Sequence, residues 1–195
     1  MTKHELRQKL RHLRRGFTTA YQTMTAAKLC ARLIEHDSIK NSQHIAVYLA
    51  FDGEVSLQPF FEWAWQAQKS LYLPILEPDK DGFLLFQLYT PKTKMQANKF
   101  AILEPVLDRS RCIDANQLDL ICTPLVGFDE HCMRFGMGGG FYDRTLADLV
   151  SQPERPEFIG IAHSVQQVPK LPVNPWDIPM DYVITEQKVF VRSTP

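Results

Sequence analysis

In the first 16 residues, Leu6, Leu10 and Leu13 recur at spacings of four and three, with basic side chains filling much of the interval. That period predicts an amphipathic helix, and Gly16 is its expected end. A second helix is expected from about Thr19 to about Ile34, with Leu29, Leu33 and Ile34 among its apolar positions. From His44 the period changes. His44–Ala50 is an apolar, β-branched run with the look of a buried strand. Leu57–Lys69, carrying Phe60, Phe61, Ala64 and Trp65, returns to a helical period. Further strands are expected at Leu71–Ile75 (with Pro74 at its end), Phe83–Tyr89, Asp119–Thr123, Phe158–Ala162, Tyr182–Thr185 and Val189–Val191. Tyr142–Val150 reads as a short helix, and 152–156 and the proline-dense 169–179 as loops. Strands alternating with helices predict an α/β fold with a largely parallel sheet.

Length and composition narrow this reading. The 195 residues fit one domain spanning 1–195, with no repeat, linker or low-complexity tract to divide it. Lys and Arg together number 22 and Asp and Glu 22, so the formal charge is zero. That balance speaks against binding nucleic acid or an anionic membrane by bulk charge. No apolar run approaches the ~20 residues of a membrane span, and the N-terminus lacks a signal-peptide pattern. Cys30, Cys112, Cys122 and Cys132 form no Cys-x-x-Cys pair, which fits reduced thiols in a cytoplasmic protein. His131 beside Cys132 is too local to be read as a Cys/His catalytic pair.

Candidate chemistry concentrates in Arg134-Phe-Gly-Met-Gly-Gly-Gly-Phe-Tyr-Asp-Arg144. Gly136, Gly138, Gly139 and Gly140 permit positive φ and close approach of backbone to a ligand. Amides of such a loop, leading into a helix, suit phosphate. The segment is not a Walker A loop, because no Gly-Lys-Ser/Thr follows, and Phe141 breaks the dinucleotide fingerprint. Alone, it reads equally as a tight turn. Arg134 and Arg144 add forks for phosphate, and Asp143 adds a carboxylate for magnesium. Lys3 and Arg7, four apart, share one helix face. Asp181 is a second candidate metal carboxylate, or else a turn residue. Glu54 follows the first strand, where α/β sheets bind ligands.

Together these features resemble the 5-formyltetrahydrofolate cyclo-ligase family, also called methenyltetrahydrofolate synthetases. The segment 134–143 is similar to the family's Arg-x-Gly-x-Gly-x-Gly-Tyr/Phe-Tyr-Asp, and Lys3 and Arg7 to its N-terminal Lys-x-x-x-Arg. The blocks 48–54, 102–105, 124–129, 160–166 and 177–186 carry the resemblance through most of the chain. Three positions depart from the family's usual residues: His163, Trp176 and Phe100.

The resemblance implies a Rossmann-like α/β domain with a mostly parallel sheet, flanking helices and the basic N-terminal helix. It implies ATP as co-substrate, Mg2+ as cofactor and 5-formyltetrahydrofolate as substrate. ATP would be gripped by Lys3, Arg7, Arg134, Gly136, Met137, Gly138, Gly139, Gly140, Phe141 and Tyr142, with Arg134 and Tyr142 also catalytic. Glu54, Phe100 and Tyr142 would bind the folate, and Asp143 and Asp181 the metal. The expected protein is a cytoplasmic monomer without nucleic-acid or membrane partners. The rival classes are a sugar-phosphate isomerase on a similar scaffold and a non-catalytic nucleotide- or folate-binding protein.

Overall fold

The computed structural model describes residues 2–193; the outermost residues of the expected domain, 1, 194 and 195, lie outside it. Its centre is an eight-stranded sheet. Five strands run parallel: β1 (His44–Ala46), β2 (Ser70–Leu76), β7 (Leu120–Pro124), β10 (Glu157–Ile161) and β11 (Tyr182–Ile184). Antiparallel β3 (Leu84–Tyr89) and β6 (Cys112–Ile113) extend one edge, and β12 (Val189–Val191) the other. The full order is β12-β11-β10-β7-β1-β2-β3-β6.

Numbered along the chain, the parallel strands lie in the order 2-1-3-4-5. This is one of the two common doubly wound orders, and it differs from the 3-2-1-4-5-6 of dinucleotide-binding folds. The expected mostly parallel α/β sheet is present, and "Rossmann-like" narrows to this shorter order. The chain switches direction between β1 and β7, and the crevice beyond their carboxyl ends is where such sheets take ligands.

Helices α2 (Thr19–Glu35) and α4 (Gln58–Gln66) cover one face of the sheet. Leu29, Leu33, Phe60 and Phe61 pack there against Ile45, Leu71, Leu120 and Ile159. The other face is closed by Leu146, Leu149, Phe128, Ile178 and Met180. β7 is buried along its length apart from Pro124, the pattern of a strand covered on both faces. Pro74 lies inside β2 rather than at its end. β1 pairs with β2 only as far as Tyr72, so the parallel ladder makes no use of an N–H at position 74.

Helix α1 (Lys3–Arg15) departs most from expectation. Leu10 is buried, but Leu13 is 42% exposed and Arg14 is fully buried. The helix lies across the loops at the sheet's carboxyl edge, where carbonyls and carboxylates offer better partners to a guanidinium than to a leucine. Short elements without a long hydrophobic period were also missed: α3 (Asp37–Asn41), the β4/β5 pair (Met95–Ala97, Leu103–Pro105) and the β8/β9 hairpin (Gly127–Phe128, Arg134–Phe135). The final helix, α5 (Phe141–Leu146), stops four residues before the expected Val150 and continues as a 3-10 turn.

Candidate active site

A cavity of about 730 Å³ opens at this switch point. The β1 and β7 ends, α1, the glycine loop, β5 and the 174–177 segment all contribute to its wall. Lys3, Arg7, Glu54, Phe100, Arg134, the residues 136–142 and Asp143 all line it. These were the expected site residues, with one exception.

The exception is Asp181. It sits at the start of β11, on the opposite edge of the sheet from the cavity. Its two oxygens take a bidentate grip from Arg155 at 2.6 and 2.7 Å. Oδ2 also accepts the Phe158 N–H at 2.8 Å. Distance from the cavity and this full set of donors leave Asp181 a structural clamp between β10 and β11, so the expectation that it shares a metal with Asp143 is corrected.

The β1 end is a tight, heavily clamped turn. Phe51-Asp52-Gly53-Glu54 closes with a 3.1 Å bond from Glu54 N–H to Phe51 O. Asp52 and Gly53 both have positive φ, +55° and +78°, the Asp-Gly signature of a type I′ turn. Arg11, Arg14 and Arg15 converge on the Asp52 carboxylate. Burial alone would raise its pKa, but the three guanidinium hydrogen bonds prevail and lower it to about 2. Arg14 also donates to Asp52 O at 2.8 Å, to Leu125 O at 2.9 Å and to Glu54 Oε1 at 3.4 Å, and its Nη2 lies 3.9 Å from the Met137 sulfur. One buried side chain thus ties together the β1 turn, the β7 end and the glycine loop. From the other side, Gly53 O accepts from Gln22 Nε2 at 3.2 Å and from His163 Nε2 at 3.0 Å. The family departure at His163 therefore sits behind the turn, outside the cavity lining.

The clamp fixes Glu54. Its Oε2 accepts the Phe51 N–H at 3.0 Å. Burial raises its pKa to about 7, although the Arg14 charge pulls the other way. A carboxyl poised near neutrality inside a cavity is suited to donating, accepting or carrying a proton.

The glycine loop is built differently. The β8/β9 hairpin presents it, and Gly138 and Gly140 take positive φ of +102° and +67°. Arg7 donates from Nε to Gly136 O at 2.9 Å and stacks 4.2 Å above the Phe135 ring. Arg144 turns to Gly139 O and, at 2.9 Å, to Gly82 O, so it braces the loop while lining the cavity. Arg134 is almost wholly buried and pairs with Asp143. Its Nε has no partner among the described residues. Lys3 and the terminal nitrogens of Arg7 thus carry the open positive charge at this end.

Asp143 Oδ1 is occupied by Arg134 and by the Ile178 N–H at 3.2 Å. Oδ2 accepts no donor from the described residues and is not a sealed, unpartnered atom, so it opens to the cavity. One open carboxylate oxygen fits magnesium, which completes its shell with phosphate oxygens and waters. Burial pushes the Tyr142 hydroxyl well above its usual pKa, so it stays a neutral donor. Phe100, 49% exposed, meets Phe141 edge-on at 5.8 Å, and Trp176 stands on the rim at 70% exposure.

Sequence reasoning missed Arg14, Asp52 and His163. A signal for the first was present: Lys3, Arg7, Leu10 and Arg14 follow the i, i+4, i+7, i+11 rule of a single helical stripe. Asp52-Gly53 was a turn signal of known type.

A family model described as the 5-formyltetrahydrofolate cyclo-ligase family matches residues 1–186. The chain is 41% identical over 181 residues to a 5-formyltetrahydrofolate cyclo-ligase of Escherichia coli strain K12, covering 93% of this chain and 98% of that protein. It is 36% identical over 178 residues to one of Haemophilus influenzae, covering 91% and 94%. Its fold is similar to the NMR structure of Aquifex aeolicus 5,10-methenyltetrahydrofolate synthetase, with a TM-score of 0.84 and 30% identity, covering 100% and 95% of the two chains. Similarity extends to a 5,10-methenyltetrahydrofolate synthetase from Mycoplasma pneumoniae, with a TM-score of 0.74 and 26% identity, covering 95% and 99%.

Proposed function

The chain belongs to the 5-formyltetrahydrofolate cyclo-ligase family, and from that premise we propose how its cavity turns 5-formyltetrahydrofolate into 5,10-methenyltetrahydrofolate at the expense of ATP. The N-formyl group is an amide, a weak electrophile with a poor leaving oxygen. Transfer of the ATP γ-phosphoryl to that oxygen forms an O–P bond, breaks the bond to the β-phosphate and releases ADP. N10 then attacks the formyl carbon and loses its proton. The C–O bond breaks, phosphate departs, and the conjugated N5–CH=N10 cation remains.

Such chemistry is mostly positioning and charge neutralisation. Lys3 and the free end of Arg7 bind the phosphates, and the positive-φ loop at Gly138 lets backbone come close to them. Asp143 would hold magnesium, which when bound would offset phosphate charge. Arg134 orients Asp143 and Tyr142. Phe100 offers an aromatic face to the pterin. Glu54 hydrogen-bonds the folate beside its reacting carbon, and its pKa near 7 equips it to take the N10 proton.

The observation that carries this reading is the joining of opposites in one cavity: a cationic helix stripe against a glycine loop at one end, and at the other the Glu54 carboxyl, pushed up by burial to about 7. All of these groups come from one chain, which supports activity as a monomer. No helix among the described residues is long and apolar enough to cross a membrane. Four unpaired cysteines support a reducing, cytoplasmic setting.

The test follows the methenyl product by its near-ultraviolet absorbance, with and without ATP and magnesium. Product is expected only with both. Product without ATP would overturn the phosphoryl-transfer scheme, and product with ATP in metal-free buffer would remove magnesium from it.

A further inference from the structure

Glu104 is a further carboxylate in the cavity wall, and the scheme above leaves it without a role. It lies in β5 and is 7% exposed. Oε2 accepts the Leu76 N–H at 3.2 Å and Asn98 Nδ2 at 3.1 Å. Asn98 is itself fixed, its Oδ1 accepting the N–H groups of Phe100 at 2.9 Å and Ile102 at 3.2 Å. These bonds set the orientation of the carboxylate. Oε1 receives no donor from the described residues, yet it is not a sealed, unpartnered atom. It therefore opens onto the cavity that Glu104 lines, beside Leu76, Leu84, Phe100 and Ile102.

A carboxylate oxygen accepts and never donates when ionised. Held in an apolar recess, it gains most from a partner that brings an N–H and a flat apolar face. We propose that Glu104 Oε1 receives the amino-bearing edge of a substrate heterocycle and so helps decide which ring systems the cavity accepts. The inference rests on the cyclo-ligase reading. Both substrates of that reaction present an exocyclic amino group, on the pterin of the folate and on the adenine of ATP. The chemistry is shared, and kinetics tell the two apart.

The discriminating variant is Glu104→Gln. Its amide oxygen keeps the Leu76 and Asn98 donors, which both need an acceptor, and its NH2 then faces the cavity, donor against donor. A purely structural Glu104 would tolerate this exchange. The expected result is a KM raised at least tenfold for one substrate, with the other KM and kcat within threefold and an unchanged melting temperature. A rise for 5-formyltetrahydrofolate assigns the pterin. A rise for ATP assigns the adenine, and inosine triphosphate, with a carbonyl in place of the amino group, then outperforms ATP in the variant. Two unchanged KM values, two raised ones, or a loss confined to kcat would overturn the proposal.

Should the variant not fold, the wild-type protein answers the same question. Removing the amino group from one substrate, as a 2-desamino folate or as purine riboside triphosphate (6-desamino-ATP), is expected to weaken binding tenfold. No loss for either overturns the role of Glu104. Wild-type turnover measured alongside separates the two failures: absence of methenyl product sinks the cyclo-ligase reading itself, whereas normal turnover with an indifferent variant sinks only Glu104.

Discussion

The two ends of the cavity solve opposite problems. At the Phe51–Glu54 turn the donors converge inward. Three arginines, a glutamine and a histidine fix two residues of positive φ so that one carboxyl points one way. At the glycine loop Arg7 and Arg144 hold only carbonyls, residues 137–139 are exposed, and the cations of α1 stand open. A group that handles a proton needs a fixed position and a tuned environment, so its carboxyl is hydrogen-bonded and buried. A loop that cradles a polyanion needs unspent positive charge and bare backbone. Helix α1 serves both, with Lys3 and Arg7 at the open end and Arg11, Arg14 and Arg15 at the closed one.

The largest expected effect comes from breaking the closed end. Arg14→Met leaves Asp52 and Glu54 without their buried partner, and losing one member of a buried ion pair costs about 3–5 kcal/mol. The melting temperature should fall steeply. A variant as stable as the parent would show the clamp to be dispensable.

Glu54→Gln keeps the clamp but removes the proton. Turnover should drop by about two orders of magnitude, the lower range for a positioned acid or base, and the rise of wild-type kcat/KM for the folate through pH 7 should vanish. Stability carries its own sign. The folded carboxyl, at about 7, holds its proton more tightly than an ordinary glutamate does at 4.5. Wild-type stability therefore declines as pH rises from about 4.5 through 7, and the variant should lack that decline in urea titrations at several pH values.

Gly138→Ala probes the open end. A Cβ at φ +102° is strained and costs about 1 kcal/mol of stability, while ATP-dependent activity should fall tenfold or more as the amide shifts from the phosphate. Destabilised protein with full specific activity would reduce the loop to a turn. The smallest effect on activity is expected from Asp181→Ala, which lies at neither end. Losing the Arg155 and Phe158 bonds should cost about 1–2 kcal/mol and leave kcat and the magnesium requirement untouched. A changed magnesium requirement would restore Asp181 to the metal site.

Legibility in the sequence followed the same divide. The sheet was readable because its strands are short apolar runs rich in branched residues, and the open end because glycines and spaced cations leave a signature without tertiary help. The closed end was not, because its logic is long-range. Arg14 looks like one more charge on a basic helix until Asp52, 38 residues away, and Leu125, 111 residues away, are brought beneath it. Asp181 failed for the converse reason: a carboxylate in a matching block carries no sign of which edge of the sheet it will occupy, and Arg155, 26 residues away, decides it.

The most direct test of the two-ended cavity crosses one variant from each end with both substrates. KM for ATP and for 5-formyltetrahydrofolate would be measured for Arg7→Ala and for Glu54→Gln under identical conditions. Arg7→Ala should raise KM for ATP by about tenfold or more, the worth of a charge-assisted contact, and leave that for the folate within twofold. Glu54→Gln should weaken the folate and leave ATP alone. If both variants move the same KM, the cavity does not divide its substrates between these two ends.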